Sequence, residues 1–228
     1  MDIHRFSLVE GAKSARGLAV IIDVFRAFTT AAYVSANGAK KIIPVAEVDE
    51  ALRLRVEHPD WLLMGETHGR KIPEFDYGNS PAEVEHVDFS GQTVVQRTSS
   101  GTLGIKYASG ADEILLGSFV MADAIAEYVN RNRGIKVVSL VAMGWEGESP
   151  ALEDELCAEY IEAKIRGAFP DFLSMRRRIR EDPSGAKFFD PGQPHFRERD
   201  FHLAMSLNWF NFALKVERGK LPYYVKVR

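Results

Sequence analysis

The segment Leu18-Ala19-Val20-Ile21-Ile22-Asp23-Val24 decides the fold class. It is almost wholly apolar and rich in β-branched residues, which is typical of a strand buried on both faces of a parallel sheet. Helical spacing follows directly from Arg26 to Val34, and Asn37-Gly38 then supplies residues suited to a helix C-terminus. The pattern therefore predicts a strand, a polar loop and a helix.

The same unit recurs along the chain. Further strands are predicted at residues 41–46, 61–65, 93–97, 113–117 and 135–143. Helical patterns lie between them, at about residues 48–57, 102–108, 122–130 and 152–168. This alternation favours an α/β fold with right-handed crossovers, so we expect a three-layer α/β/α sandwich with a mostly parallel sheet.

Three other stretches complete the predicted organisation. Residues 67–89 form a long polar connection of the kind that usually carries function, and residues 182–200 are predicted to be a loop before a final helix at 201–212. Residues 222–227 are predicted to add an edge strand. We expect one domain over residues 1–228, with residues 85–92 as the candidate boundary if the chain forms two α/β subdomains.

Composition excludes several classes of protein. The net charge of -3 provides no global basic field, and the arginine-rich stretch at 175–182 ends in acids, so we expect a solvated helix face there and no nucleic-acid partner. The single cysteine, Cys157, cannot form an internal disulfide and is predicted to be a buried small side chain in a helix. No signal-like or membrane-spanning apolar segment is found, so we expect a cytoplasmic protein without a membrane partner.

Chemically active residue types collect after the predicted strands. In open α/β sheets ligands bind beyond the carboxyl ends of the strands. Asp23 interrupts an apolar run, where an unpaired charge is costly, so it should be paired or bound to a metal. Arg97 precedes Thr98-Ser99-Ser100-Gly101-Thr102, which offers hydroxyl and N–H donors to an anion. When that turn is taken alone, an ordinary helix cap is the favoured explanation, and the adjacent Arg97 shifts the balance toward anion binding.

Carboxylates for a metal ion are also available. Magnesium prefers oxygen ligands and commonly takes one or two protein carboxylates beside a substrate phosphate. A surface ion pair or a helix-start charge explains any one of these acids alone, Glu153-Asp154 most easily. The candidates are Asp23, Glu66, Asp76, Glu153 and Asp154.

Several common catalytic motifs are missing. The sequence has no GxxxxGK[ST], GxGxxG or GxSxG pattern, which argues against the usual nucleotide-binding loops and the serine-hydrolase elbow. Asp23-Val24-Phe25 lacks the second aspartate of a DxD phosphatase motif, and no arginine follows Cys157 at the spacing of tyrosine phosphatases. A metal-assisted reaction therefore remains compatible with the sequence.

Four blocks of sequence resemble one known family. Ile22 to Thr30 is similar to its DVxRAxTT block, and residues 65–81 are similar to GERxGxK followed by FDxGNSP. Residues 97–102 take the place of TTNGT, and residues 152–158 resemble EDxxCA. Their order and spacing over residues 18–166 resemble the 2-phosphosulfolactate phosphatase (ComB-like) family. Two departures concern the pocket: Thr67-His68 replaces an arginine, and Ser99-Ser100 replaces Thr-Asn.

The resemblance implies an α/β fold, Mg²⁺, and hydrolysis of 2-phospho-3-sulfolactate to 3-sulfolactate and phosphate. It implies catalytic roles for Asp23, Arg26, Glu66 and Asp76, with the metal held by some of the five candidate acids. It implies that the following residues bind the anionic phosphoester substrate: Thr29, Thr30, Arg70, Asn79, Ser80, Arg97, Thr98, Ser99, Ser100, Gly101 and Thr102.

The sequence leaves several alternatives open. The substrate is 2-phosphosulfolactate or another small phosphorylated carboxylic acid, and a non-catalytic anion-binding module on the same fold is the rival from a different class. Attack by water and a covalent intermediate on Asp23 are both compatible with the residues. The oligomeric state is also open, with a homodimer as one option.

Overall fold

The computed structural model describes residues 1–228, and its strands form two mostly parallel sheets. The strands are β1 (Asp2–Ser7), β2 (Gly17–Ile22), β3 (Lys41–Val45), β4 (Leu62–Thr67), β5 (Arg70–Lys71), β6 (Thr93–Arg97), β7 (Ala111–Gly117), β8 (Val137–Ala142), β9 (Ala213–Glu217) and β10 (Tyr223–Val227). The first sheet has the order β1-β8-β2-β7-β9-β10, in which only β9 runs opposite to the other strands and pairs antiparallel with both β7 and β10. The second has the order β3-β6-β4-β5, in which only β5 is antiparallel.

Helices flank both sheets. They are α1 (Leu8–Ser14), α2 (Ala27–Ala36), α3 (Val48–Glu57), α4 (Pro81–Val84), α5 (Gly101–Tyr107), α6 (Ala122–Arg131), α7 (Leu152–Ile165), α8 (Phe172–Glu181), α9 (Pro183–Ala186) and α10 (Glu198–Ala204). Beside the first sheet, helix α1 packs against α5, and helix α6 packs against α7. The expected α/β sandwich with mostly parallel sheets is confirmed. None of the helices has the length and hydropathy needed to cross a lipid bilayer.

The second sheet is an insertion into the first. After β2 the chain passes through α2, builds β3 to β6, and returns through α5 to β7. Both sheets share one core, because Ile42, Met64 and Val94 of the insertion belong to the same 54-residue cluster as the strands of the first sheet. A cluster of eight residues, including Leu63 and Val95, forms a second core in the insertion. Residues 85–92 lie inside the insertion, between α4 and β6.

Two parts of the structure differ from the sequence prediction near the chain ends. Strand β1 was not predicted, because it is an edge strand without a fully buried side chain and therefore has no apolar run. The prediction of a helix over 201–212 was wrong, because α10 ends at Ala204. Beyond it, the backbone N–H groups of Asn208 and Phe210 donate to Phe119 and Val120 carbonyls instead of continuing a helix.

The stretch at 182–200 is also more ordered than a loop. Asp182 accepts a hydrogen bond from the Ser184 N–H at 2.9 Å, and Pro183 occupies the first position of α9, where a missing N–H costs nothing. A short 3₁₀ helix, Lys187–Phe189, follows. Phe188 packs on Phe25, at a ring separation of 4.7 Å, so this segment lies against the loop that follows β2.

Candidate active site

A cleft lies where the carboxyl ends of the two sheets meet. Residues after β2, β6 and β8 line its inner cavity, which measures about 30 Å³. An outer cavity of about 650 Å³ adjoins it and shares Phe25, Gly144, Trp145 and Phe196 with it. The inner cavity is lined by Asp23, Phe25, Arg26, Glu66, Gly69, Asn79, Ser99, Ser100, Gly144, Trp145, Glu146 and Phe196.

Asp23 lies at the inner end of this cleft, with a side chain that is only 6% exposed. Its two oxygens accept hydrogen bonds from the Ala27 N–H at 3.1 Å and the Gly101 N–H at 2.9 Å. Burial raises the pKa of Asp23 to about 7, and the negative charges of Glu66 and Glu153 act in the same direction. The backbone thus fixes a carboxyl group that no cation of the protein neutralises.

The two acids at the start of α7 are buried as well. Asp154 accepts hydrogen bonds from the Val24 N–H at 2.8 Å and the Gly144 N–H at 2.9 Å, which fixes the loops after β2 and β8 to each other. Glu153 is 3% exposed, lines the outer cavity, and leaves its Oε2 without a hydrogen-bond partner. Burial raises the pKa of both groups. These acids are therefore not ordinary solvated helix-start charges.

Glu66 joins the inserted sheet to the cleft. Its Oε1 accepts from the Ser99 N–H at 2.8 Å and its Oε2 from the Gly69 N–H at 2.7 Å. Glu66, like Asp23, Glu153 and Asp154, is buried at this junction. No group of three or more His, Cys, Asp or Glu side chains is arranged to hold a metal ion by itself. Each hydrogen-bonded oxygen nevertheless accepts a single N–H and keeps a lone pair for a further partner.

In the absence of divalent cations, the protein is expected to be more stable near pH 5 than near pH 7.5. The folded pKa of Asp23 is about 7, whereas its ordinary value is 3.8. Between these values the folded state holds a proton that the unfolded state has lost, so the free energy of unfolding falls as the pH rises. Urea unfolding should show a fall of at least about 1 kcal/mol. An equal fall in the Asp23→Asn variant would contradict this assignment.

Arg26 supplies a buried cation to the inner cavity. Its Nη1 donates to Asp200 Oδ2 at 2.8 Å and to the His195 carbonyl at 3.0 Å, and its Nη2 donates to the Gly69 carbonyl at 2.6 Å. Three of the five guanidinium N–H groups are thereby used, and two remain for a ligand. Asn79 also lines this cavity, and its amide N–H groups donate to no protein atom. Arg70 is exposed and lines the outer cavity.

Asp76 is not placed with the other candidate acids. It forms an ion pair with Arg55 and accepts a hydrogen bond from the Leu63 N–H at 2.7 Å, near the start of β4, whereas Glu66 lies near its end. It lines neither cavity. These two contacts, to Arg55 and to the backbone of β4, give this acid a structural role.

Several predicted substrate-binding residues make internal contacts instead. Their polar groups are used within the protein and line neither cavity, because buried hydroxyls near strand ends must first satisfy nearby backbone groups. They are Thr29 (to Val24 O and Ser118), Thr30 (to Arg26 O), Ser80 (to Asp200), Arg97 (to Ala46 O, Glu66 O, Thr67 and Ser99), and the mutually bonded Thr98 and Thr102. The Gly101 N–H is used by Asp23.

The two departures from the family pattern both reach the cleft. Ser99 and Ser100 line the inner cavity, and the Ser100 hydroxyl donates to the Gly144 carbonyl at 2.9 Å. His68 lines the outer cavity and is hydrogen-bonded to Glu146 across from it. These substitutions therefore lie where the substrate would be contacted.

The C-terminal segment adds residues to the cleft that were not predicted from the sequence. Lys187, His195 and Phe196 line the outer cavity, and Asp200 holds Arg26. They come from a stretch that was predicted to be a loop. A loop has no regular periodicity from which to predict which side chains lie close together. The only signal was the mixture of aromatic and basic residues among the prolines of 183–196.

Fold and site together define an α/β enzyme with buried carboxylates and basic groups around a cleft for a small anion. Residues 3–182 match the family model described as 2-phosphosulpholactate phosphatase. The chain belongs to this family, which is named for a phosphoric monoester hydrolase.

Curated relatives carry the same name. A protein from Bacillus subtilis, named probable 2-phosphosulfolactate phosphatase, is 32% identical over 211 residues, which cover 91% of each chain. A protein of that name from Caldicellulosiruptor saccharolyticus is 42% identical over 156 residues, which are 67% of this chain and 64% of the relative. The family match over residues 3–182 includes strands β2 to β8 and the carboxylates of the cleft.

Proposed function

We propose that this chain hydrolyses 2-phospho-3-sulfolactate to 3-sulfolactate and phosphate in a Mg²⁺-dependent reaction. The observation that carries the proposal is the junction of the two sheets, where four carboxyl groups are buried and none is in an ion pair: Asp23, Glu66, Glu153 and Asp154. The first three line the cleft, and Asp154 lies behind it. Family membership and the names of the relatives support the substrate.

A divalent cation fits this set of donors. Buried carboxylates without a counter-charge are costly, and a cation between them offsets that cost. Magnesium retains several waters and takes few protein ligands, so it does not require a preformed cluster of three. We assign Asp23 and Glu153 as the residues that would hold it, because Glu153 Oε2 has no other partner. When bound, Mg²⁺ would polarise the phosphoryl group and orient the attacking water.

The chain's own groups bind and orient the substrate. The two remaining N–H groups of Arg26 and the amide of Asn79 are donors for phosphoryl oxygens in the inner cavity. Ion pairing with Asp200 holds Arg26 in place, so its donors are oriented before the substrate arrives. Glu66 and Asp154 fix the surrounding loops through backbone N–H groups. The protein thus supplies positioning and charge around the phosphoryl group.

Phosphate release from a panel of phosphoesters tests this function. With Mg²⁺ present, kcat/KM for 2-phosphosulfolactate is expected to exceed that for 2-phospholactate, which lacks the sulfonate, by about 10-fold or more. Faster hydrolysis of another phosphorylated carboxylic acid would favour that acid as the substrate. Binding of anions without hydrolysis of any ester would favour a non-catalytic module.

A further inference from the structure

The ammonium group of Lys187 reaches the outer cavity without a partner. Lys187 is half-buried at the start of the 3₁₀ helix and lines that cavity. Its Nζ lies 4.4 Å from the ring centroid of Trp145 and 4.7 Å from that of Phe196, and it makes no hydrogen bond and no ion pair within 4 Å. Burial lowers the pKa of Lys187, and the charge of Glu153, which lines the same cavity, opposes this shift. Aromatic faces attract a cation but do not neutralise it. The cavity therefore contains a cation that is not directly bonded to an anion.

Two further polar atoms of the same cavity are also without partners. Ser184 Oγ and His195 Nδ1 are both buried, line the outer cavity, and make no hydrogen bond of normal geometry. The Ser184 hydroxyl lies close to the Glu153 carboxyl, whose pKa burial raises and this hydroxyl lowers. Burial, with the charge of Arg70, lowers the pKa of His195, which favours a neutral ring with one N–H donor. Unsatisfied buried polar groups are rare in folded proteins. Two of them beside an unpaired ammonium indicate a binding site for an anion.

The position of this site suits the second anionic group of the proposed substrate. The outer cavity adjoins the inner one, so a small molecule with its phosphate beside Arg26 extends toward Lys187. Lysine is a point charge without the planar fork with which arginine matches a carboxylate. A lysine, a hydroxyl and an imidazole offer three separate donors, which suits the three oxygens of a tetrahedral sulfonate.

We infer that Lys187, with Ser184 and His195, binds the sulfonate of the substrate and selects for it. This inference rests on the proposed function and names the determinant of its specificity. All three residues follow residue 182, where the match to the family model ends. Selection of the substrate would therefore reside in a segment separate from the carboxylates that serve the phosphoryl group.

Calorimetric binding of 3-sulfolactate and lactate, which differ by the sulfonate, tests the inference without turnover. The unsubstituted protein is expected to bind 3-sulfolactate at least about 10-fold more tightly than lactate. Lys187→Gln should weaken 3-sulfolactate binding by about 10-fold or more and bring the two affinities within about threefold of each other. Lys220→Gln removes the same charge from the exposed β9–β10 connection and should change neither affinity.

Ser184→Ala provides a second, milder variant, and circular dichroism establishes that each variant is folded. It is expected to weaken 3-sulfolactate binding by about threefold to tenfold without affecting lactate. Equal affinity of the unsubstituted protein for both ligands, or undiminished selectivity in folded Lys187→Gln, would overturn the inference. If no phosphoester is hydrolysed while 3-sulfolactate binding depends on Lys187, the proposed function fails and the sulfonate site stands.

Discussion

Asp23→Asn is expected to lower kcat/KM for phosphate release by at least about 10³-fold while the protein stays folded. The substitution removes the only negative charge that projects from the end of the central strand β2 into the inner cavity. The asparagine has nearly the same shape and still accepts one of the two backbone hydrogen bonds made by Ala27 and Gly101. Loss of the other bond costs about 1 kcal/mol, which the removal of a buried charge offsets.

Steady-state kinetics measures the loss of kcat/KM, and thermal unfolding establishes that the variant is folded. The chain also offers a matched control. Asp76→Asn alters another acid of the original candidate set, one that pairs with Arg55 outside the cleft. Its kcat/KM is expected to change by less than about threefold. Full activity in folded Asp23→Asn would remove Asp23 from the mechanism, and a large loss in Asp76→Asn would restore that acid to it.

Asp200→Ala is expected to destabilise the protein by about 3–5 kcal/mol, the cost of leaving a buried charge unpaired. Asp200 is 0% exposed. It accepts hydrogen bonds from Arg26 at 2.8 Å, the Ser80 hydroxyl at 2.6 Å and the Ala82 N–H at 2.9 Å. Its removal leaves all three donors without their acceptor. It also removes the hydrogen bonds that join α10 to the loops carrying Arg26 and Asn79.

Urea unfolding gives the size of this loss. Glu198→Ala alters an exposed acid on the same helix, which pairs only with exposed His202, and should change the free energy of unfolding by less than about 1 kcal/mol. If Asp200→Ala costs no more than this control, Arg26 does not depend on Asp200 for its position. Activity of the surviving folded fraction should also fall, because Arg26 would no longer be held in the inner cavity.

The regular elements of the fold were predictable because local periodicity determines them. Helix α3 and strand β6 have the predicted bounds, Val48–Glu57 and Thr93–Arg97, since amphipathic spacing in one and a β-branched run in the other extend to their ends. The separation into two sheets was not determined by periodicity. Alternating strands and helices produce the same local pattern whether β3 to β6 extend the first sheet or form another.

The site was predictable only in part. Asp23 and Glu66 follow from the rule that ligands lie beyond strand carboxyl ends, and both line the inner cavity. That rule does not distinguish ligand-binding side chains from those that satisfy their own backbone, as Thr30 and Arg97 do. Lys187 depends on how residues 183–196 pack across the cleft, which is a tertiary property without a local sequence pattern.

The most direct test of the central claim is the initial rate of phosphate release from 2-phosphosulfolactate by metal-stripped protein, before and after Mg²⁺ is added. We expect a rate near background without the metal and an increase of at least about 10²-fold with Mg²⁺, since the bound cation would polarise the phosphoryl group. Full activity in the metal-stripped protein would contradict a Mg²⁺-dependent reaction.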